Sequence, residues 1–160
     1  MLGRIIEIKK GNTVKKISLK NGMEMEKFGE SFALSLHGGE VLALEGNLGA
    51  GKTTLTKGIA KGLGIDPRTV TSPTFVLMNV YPVTQALAIT QLCHVDTYRL
   101  NSPQELINIG IREYLSDPCT VTIIEWPELA LAFLPPDTIY IRITFSDNEE
   151  RAPVVIRRTA

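Results

Sequence analysis

Residues 46–53 read Gly-Asn-Leu-Gly-Ala-Gly-Lys-Thr and follow the pattern G-x-x-x-x-G-K-[ST]. No other stretch of the chain narrows its fold as far. The glycines leave the backbone free to turn successive N–H groups inward around phosphate oxygens. A lysine at the seventh position reaches terminal phosphates, and the hydroxyl that follows holds a magnesium ion. Nucleotide contacts are accordingly expected from Asn47, Leu48, Gly49, Ala50, Gly51, Lys52, Thr53 and Thr54. The pattern needs a buried strand before it and a helix after it. Val41-Leu42-Ala43-Leu44 is apolar, and Leu55, Ile59 and Leu63 recur every four residues, a helical stripe. Gly62 and Gly64 then act as a stop signal.

The 160 residues suit one domain, 1–160, able to bury a core without disulfides. No apolar run reaches the ~20 residues of a membrane span. The charged start, Met1-Leu2-Gly3-Arg4-Ile5-Ile6-Glu7, does not read as a signal peptide. Cys93 and Cys119 have no metal-ligand spacing and read as reduced thiols of a cytoplasmic protein. Net charge is zero, so contact with nucleic acid would be local or made through a partner.

Residues 1–20 nevertheless hold Arg4, Lys9, Lys10, Lys15, Lys16 and Lys20 against Glu7 alone. They read as two strands, 4–9 and 13–19, turning at Gly11-Asn12, with lysines guarding an edge. A phosphate-backbone contact is the other reading. A helix is expected over 23–37, with Met25, Phe28, Phe32 and Leu36 on one face and His37 as a cation at its end. β-Forming residues fill 70–81, where Pro73 imposes a bend. A strand over 88–95 leads to Asp96. Ser102-Pro103-Gln104-Glu105 starts a helix expected to reach Leu115. Val121–Ile124 is a core strand ending in Glu125. Residues 139–145 alternate as a half-buried antiparallel strand, and Asp147-Asn148 turns into a last strand over 154–157. The fold class is therefore α/β: a mostly parallel sheet flanked by helices, with antiparallel strands at both chain ends.

A phosphate loop needs an acid for its metal and a group that positions water. Asp96 and Glu125 each end an apolar strand, at the carboxyl edge where α/β sheets bind ligands. Spacing alone leaves open which acid takes the metal. His94, alternating with Cys93 and Val95, reads as a packing or supporting residue. Trp126, the single tryptophan, reads equally as core or contact surface. A GTPase is disfavoured: Asn-Lys-x-Asp is absent, and no aspartate is followed by glycine three places on. A small-molecule kinase remains as the alternative, although Arg99 and Arg112 are few for a phosphate-closing lid.

Several blocks resemble one family. They are the 46–54 loop, Ser72-Pro73-Thr74-Phe75, His94-Val95-Asp96-Thr97-Tyr98-Arg99-Leu100, Gly110-Ile111-Arg112-Glu113-Tyr114 and Glu125-Trp126-Pro127. Together they are similar to the TsaE (YjeE) family of tRNA threonylcarbamoyladenosine ATPases. The resemblance spans residues 23–145. It implies a P-loop NTPase domain that binds ATP and magnesium through Lys52 and Thr53. It also implies Thr74 as a switch residue near the γ-phosphate, catalytic or metal roles for Lys52, Asp96 and Glu125, and Trp126 at the nucleotide or partner surface. The implied partners are TsaB and TsaD, with tRNA met indirectly through that complex and no membrane. Asn47 stands where the family usually has Asp, and Thr97 where an apolar residue is usual.

Overall fold

The computed structural model describes residues 3–146 and the backbone of residues 157–158. Two strands open the chain, β1 (Arg4–Lys10) and β2 (Thr13–Leu19), joined through Gly11 at φ +56°. Helix α1 (Gly22–Ala33), strand β3 (Val41–Glu45) and helix α2 (Lys52–Gly62) follow. Next come β4 (Met78–Pro82), β5 (Gln91–Asp96), α3 (Pro103–Asn108), α4 (Ile111–Ser116), β6 (Thr120–Glu125) and β7 (Ile139–Phe145). Arg157–Arg158 form β8, antiparallel to β2. The expected turn at Asp147-Asn148 and residues 154–156 lie outside the described residues.

Among the described residues, eight strands form one sheet, ordered β4-β5-β6-β3-β7-β1-β2-β8. The centre, β5-β6-β3-β7, is parallel. β4 runs antiparallel to β5, and β1 antiparallel to β7. The α/β sheet with four helices among the described residues thus agrees with the expected class, with two differences. Strand β7 is antiparallel only to β1; against β3 it is parallel, because the chain crosses back before entering it. One antiparallel edge, β4, lies inside the chain rather than at an end.

One sheet face carries Leu42, Leu44, Leu92, Val121, Ile123, Ile141 and Ile143 against α1 and α2. The other packs Val41, Cys93, Val95 and Ile124 against Leu106 and Ile111 of α3 and α4. Alternation along each strand separates the two sets. Helices α1 and α2 pack closely through glycines: a Cβ at Gly58 would lie 2.2 Å from the Glu26 carbonyl, and one at Gly29 2.7 Å from that of Leu55.

Several boundaries differ from expectation for local reasons. Helix α1 is capped by Asn21, whose Oδ1 accepts the Glu24 N–H at 2.9 Å, while Glu24 Oε2 accepts the N–H of Lys20, one residue before the cap, at 2.8 Å. It ends at Ala33, where the N–H groups of Leu34, Ser35 and Leu36 turn to carbonyls three residues back. His37 therefore lies past the helix and does not cap it; its N–H donates to Glu40 at 2.8 Å. Residues 71–77 form a loop rather than a strand, because Ser72 and Thr74 bond a side chain and Leu77 takes φ +68°. The helix expected over 103–115 is split by Gly110 at φ +81°. The lysine-rich tip of the β1–β2 hairpin points away from the carboxyl ends of the parallel strands, since β1 starts beside the end of β7. Lys10 is thus ~20 Å along β1 from Arg4, which separates the tip from the site described next.

Candidate functional site

Strands β3, β5 and β6 run parallel and end together. The register pairs Asp96 with Glu125, and the turn after Glu45 opens into the 46–53 loop. Period two places His94 and Asp96 on the face of β5 that meets α2, and Glu125 on the same face of β6. Both acids are almost fully buried, so each needs partners.

Their partners differ. Glu125 Oε1 accepts the Thr53 hydroxyl at 3.1 Å and lies 2.8 Å from His94 Nε2. Among the described residues, Nδ1 of the fully buried His94 has no hydrogen-bond partner. A proton on Nδ1 would be an unsatisfied buried donor, whereas one on Nε2 faces a carboxylate. His94 is thereby a donor to Glu125. Asp96 instead holds the 71–77 loop: its Oδ2 accepts the hydroxyls of Ser72 at 2.8 Å and Thr74 at 2.9 Å, and its Oδ1 accepts the Tyr98 N–H at 2.9 Å.

Lys52 opens α2 and is buried. Its Nζ donates to the carbonyls of Gly46 at 2.6 Å and Asn47 at 3.2 Å, and stands 4.0 Å from the centre of the Trp126 ring. Burial pushes its pKa below the ordinary lysine value, while Glu125, Asp96 and Glu128 pull it back up. Among the described residues its hydrogen bonds go to neutral carbonyls, so a nearby anion would compensate its charge better. Trp126 sits in the left-handed region at φ +58°, its ring 5.0 Å from that of Tyr98. Thr97 holds it there: the Thr97 hydroxyl donates to the Trp126 carbonyl.

These groups line an open cavity of about 380 Å³, within the range of small-ligand sites. Of the residues expected here, the lining includes Leu48, Gly49, Gly51, Lys52, Thr53, Thr54, Thr74, Asp96, Glu125 and Trp126. Asn47 and Ala50 do not line it; Asn47 is exposed and contributes its carbonyl to the Lys52 ammonium. Ser72 and Tyr98 line it although sequence reasoning assigned them no role. The hydroxyl of Ser72, two residues before Thr74, was the available signal. Arg99 stacks 4.1 Å over Phe75. Cys93 is not a nucleophile, because burial pushes its thiol up to about 12.

The loop can cradle an anion. Gly49 and Gly51 take φ +76° and +114°, and a Cβ at Gly46 would lie 2.7 Å from the Ile143 carbonyl. A side chain at these positions would strain the backbone or collide with it.

Comparison with known proteins places this geometry in a family. The model of the threonylcarbamoyl adenosine biosynthesis protein TsaE matches residues 19–153. A TsaE from Borreliella burgdorferi is 36% identical over 124 residues, covering 78% of this chain and 86% of the relative. One from Bacillus subtilis is 42% identical over 113 residues, covering 71% and 66%. The crystal structure of Bacillus subtilis YdiB superposes with a TM-score of 0.58 at 29% identity, covering 91% of this chain and 86% of that one. With its loop, its two strand-end acids and a match over most of its length, the chain belongs to the TsaE family.

Proposed function

We propose that the chain is a P-loop ATPase that binds ATP with magnesium and serves the synthesis of threonylcarbamoyladenosine in tRNA. The observation that carries this reading is the convergence of Lys52, Thr53, Asp96 and Glu125 on one cavity at the mouth of the 46–53 loop. The relatives' names supply the pathway.

The residues fit both ligands. A phosphate chain satisfies the Lys52 ammonium and the N–H groups at the start of α2. Magnesium on phosphates needs only one or two protein oxygens, the rest being water. Thr53 fits this role, because its proton goes to Glu125 and leaves its lone pairs available. Thr53 would hold the ion, which when bound would supply positive charge to offset the charge developing on the phosphates. Lys52 would hold the terminal phosphates. Asp96 would couple the Ser72–Thr74 loop to the γ-phosphate side, where a water can be oriented. Glu125 would keep Thr53 in place.

The pathway reading makes TsaB and TsaD homologues the partners, with tRNA reached through them, and a cytoplasmic setting. No helix among the described residues is long and apolar enough to cross a membrane. The test is phosphate release from ATP with and without the cognate TsaB–TsaD pair. Slow release that the pair raises supports a partner-gated ATPase. Release that ignores the pair, or phosphate passed to a small-molecule acceptor, overturns it.

A further inference from the structure

The β1–β2 hairpin precedes all but one residue of the family match, which begins at residue 19. One of its side chains nevertheless reaches the phosphate loop. Arg4 Nε donates to the Ala50 carbonyl at 2.9 Å, and Arg4 Nη2 lies 3.4 Å from the Gly49 carbonyl. The guanidinium also stands 4.2 Å from the centre of the Phe145 ring. We infer that Arg4 is a positioning residue for the phosphate loop, supplied by an element of this chain outside the family match. The inference rests on the nucleotide reading above.

The topology explains the reach. Strand β7 ends at the loop edge of the sheet, and β1 starts beside it, with Arg4 paired to Phe145. Arg4 lies on the face of β1 that also carries the buried Ile6, the face on which α2 packs. The consequence follows from the trans peptide unit. In a planar trans peptide, C=O and the following N–H point in opposite directions. A carbonyl of Ala50 drawn towards Arg4 turns the Gly51 N–H the other way, and Gly51 lines the cavity. Gly51 is free to follow because it lies at φ +114°. Arg4 therefore acts from behind the loop and presents a donor in front of it. The fork geometry of arginine serves two adjacent carbonyls, which a lysine cannot span in the same way.

A loop-positioning role predicts equal losses for ADP and ATP, because the backbone cradles the inner phosphates. Calorimetric titration of the full chain with each nucleotide tests it. Arg4→Met keeps the stem against Phe145 but removes the donors, and should weaken ADP and ATP alike by about tenfold. Arg4→Lys should lose about threefold. Lys16→Met, which breaks the Glu7–Lys16 pair on the same hairpin, should leave both affinities within about twofold. Free guanidinium should restore part of the affinity lost in Arg4→Ala, whose truncated side chain leaves room for it, which a merely structural role would not allow. Unchanged affinity in folded Arg4→Met, or an equal loss in Lys16→Met, overturns the inference. Should Arg4→Met fail to fold, unchanged affinity in Arg4→Lys overturns it equally. A wild-type chain that binds neither nucleotide overturns the nucleotide reading, and the role of Arg4 with it.

Discussion

Thr53 and Glu125 lie 72 residues apart and meet across the site, hydroxyl to carboxylate, at 3.1 Å. The first belongs to the helix that begins at the loop and the second to the end of β6. A hydroxyl that donates to a fixed carboxylate must direct its lone pairs elsewhere, and the cavity is where they are useful. Thr53→Ala should leave ATP affinity in EDTA unchanged and abolish about a tenfold gain on adding magnesium. Equal magnesium gains in variant and wild type would remove Thr53 from the metal site.

His94 supports the same carboxylate from inside the sheet. His94→Leu removes the donor and leaves buried Glu125 with one fewer hydrogen bond. Phosphate release should fall about 10–100-fold, and His94→Gln, which retains an N–H, should recover most of it. If Gln and Leu behave alike in turnover while both fold, the ring serves packing only.

Lys52 should contribute both affinity and a pH signature. Lys52→Ala should weaken ATP binding by about 100-fold or more, measured by calorimetry. Without nucleotide, burial holds the Lys52 pKa below its ordinary value of 10.5. The unfolded chain then binds the extra proton more tightly than the folded one. Wild-type stability should therefore rise relative to Lys52→Met as pH climbs from the lowered folded value to 10.5. Denaturant titrations of both chains at rising pH up to 10.5 report the slope, and a gap that stays constant would contradict the burial.

Trp126 is the single tryptophan, held over the Lys52 ammonium at 4.0 Å. Phosphate that draws Lys52 away should change its emission on adding ATP, and Lys52→Met should abolish the response. An emission spectrum indifferent to saturating ATP would argue against that displacement.

Gly58 sets how closely α1 and α2 approach. An alanine Cβ would lie 2.2 Å from a backbone carbonyl, which cannot swing aside as a side chain would. Gly58→Ala should cost ~2–3 kcal/mol, a fall in Tm of about 5–10 °C. A thermal melt within about 2 °C of wild type would show that the helices can separate.

Much of the site was legible in the sequence because its parts are local patterns. The glycine spacing of residues 46–51 sets the loop, and an apolar run ending in an acid identifies Asp96 and Glu125 as strand-end carboxylates. Alternation in 139–145 gave the buried and open faces of β7 but not its neighbours, since period two is common to both pairings. The breaks at Ala33 and Gly110 escaped periodicity because capping and a single positive φ decided them. Only the tertiary structure decided who meets whom. Sheet register set Asp96 beside Glu125 and gave one acid to Thr53 and His94, the other to Ser72 and Thr74. Strand order brought Arg4 behind the loop. Spacing along a chain fixes which face a side chain occupies, whereas contacts across 22 to 72 residues depend on how strands are ordered and aligned, which no local period records.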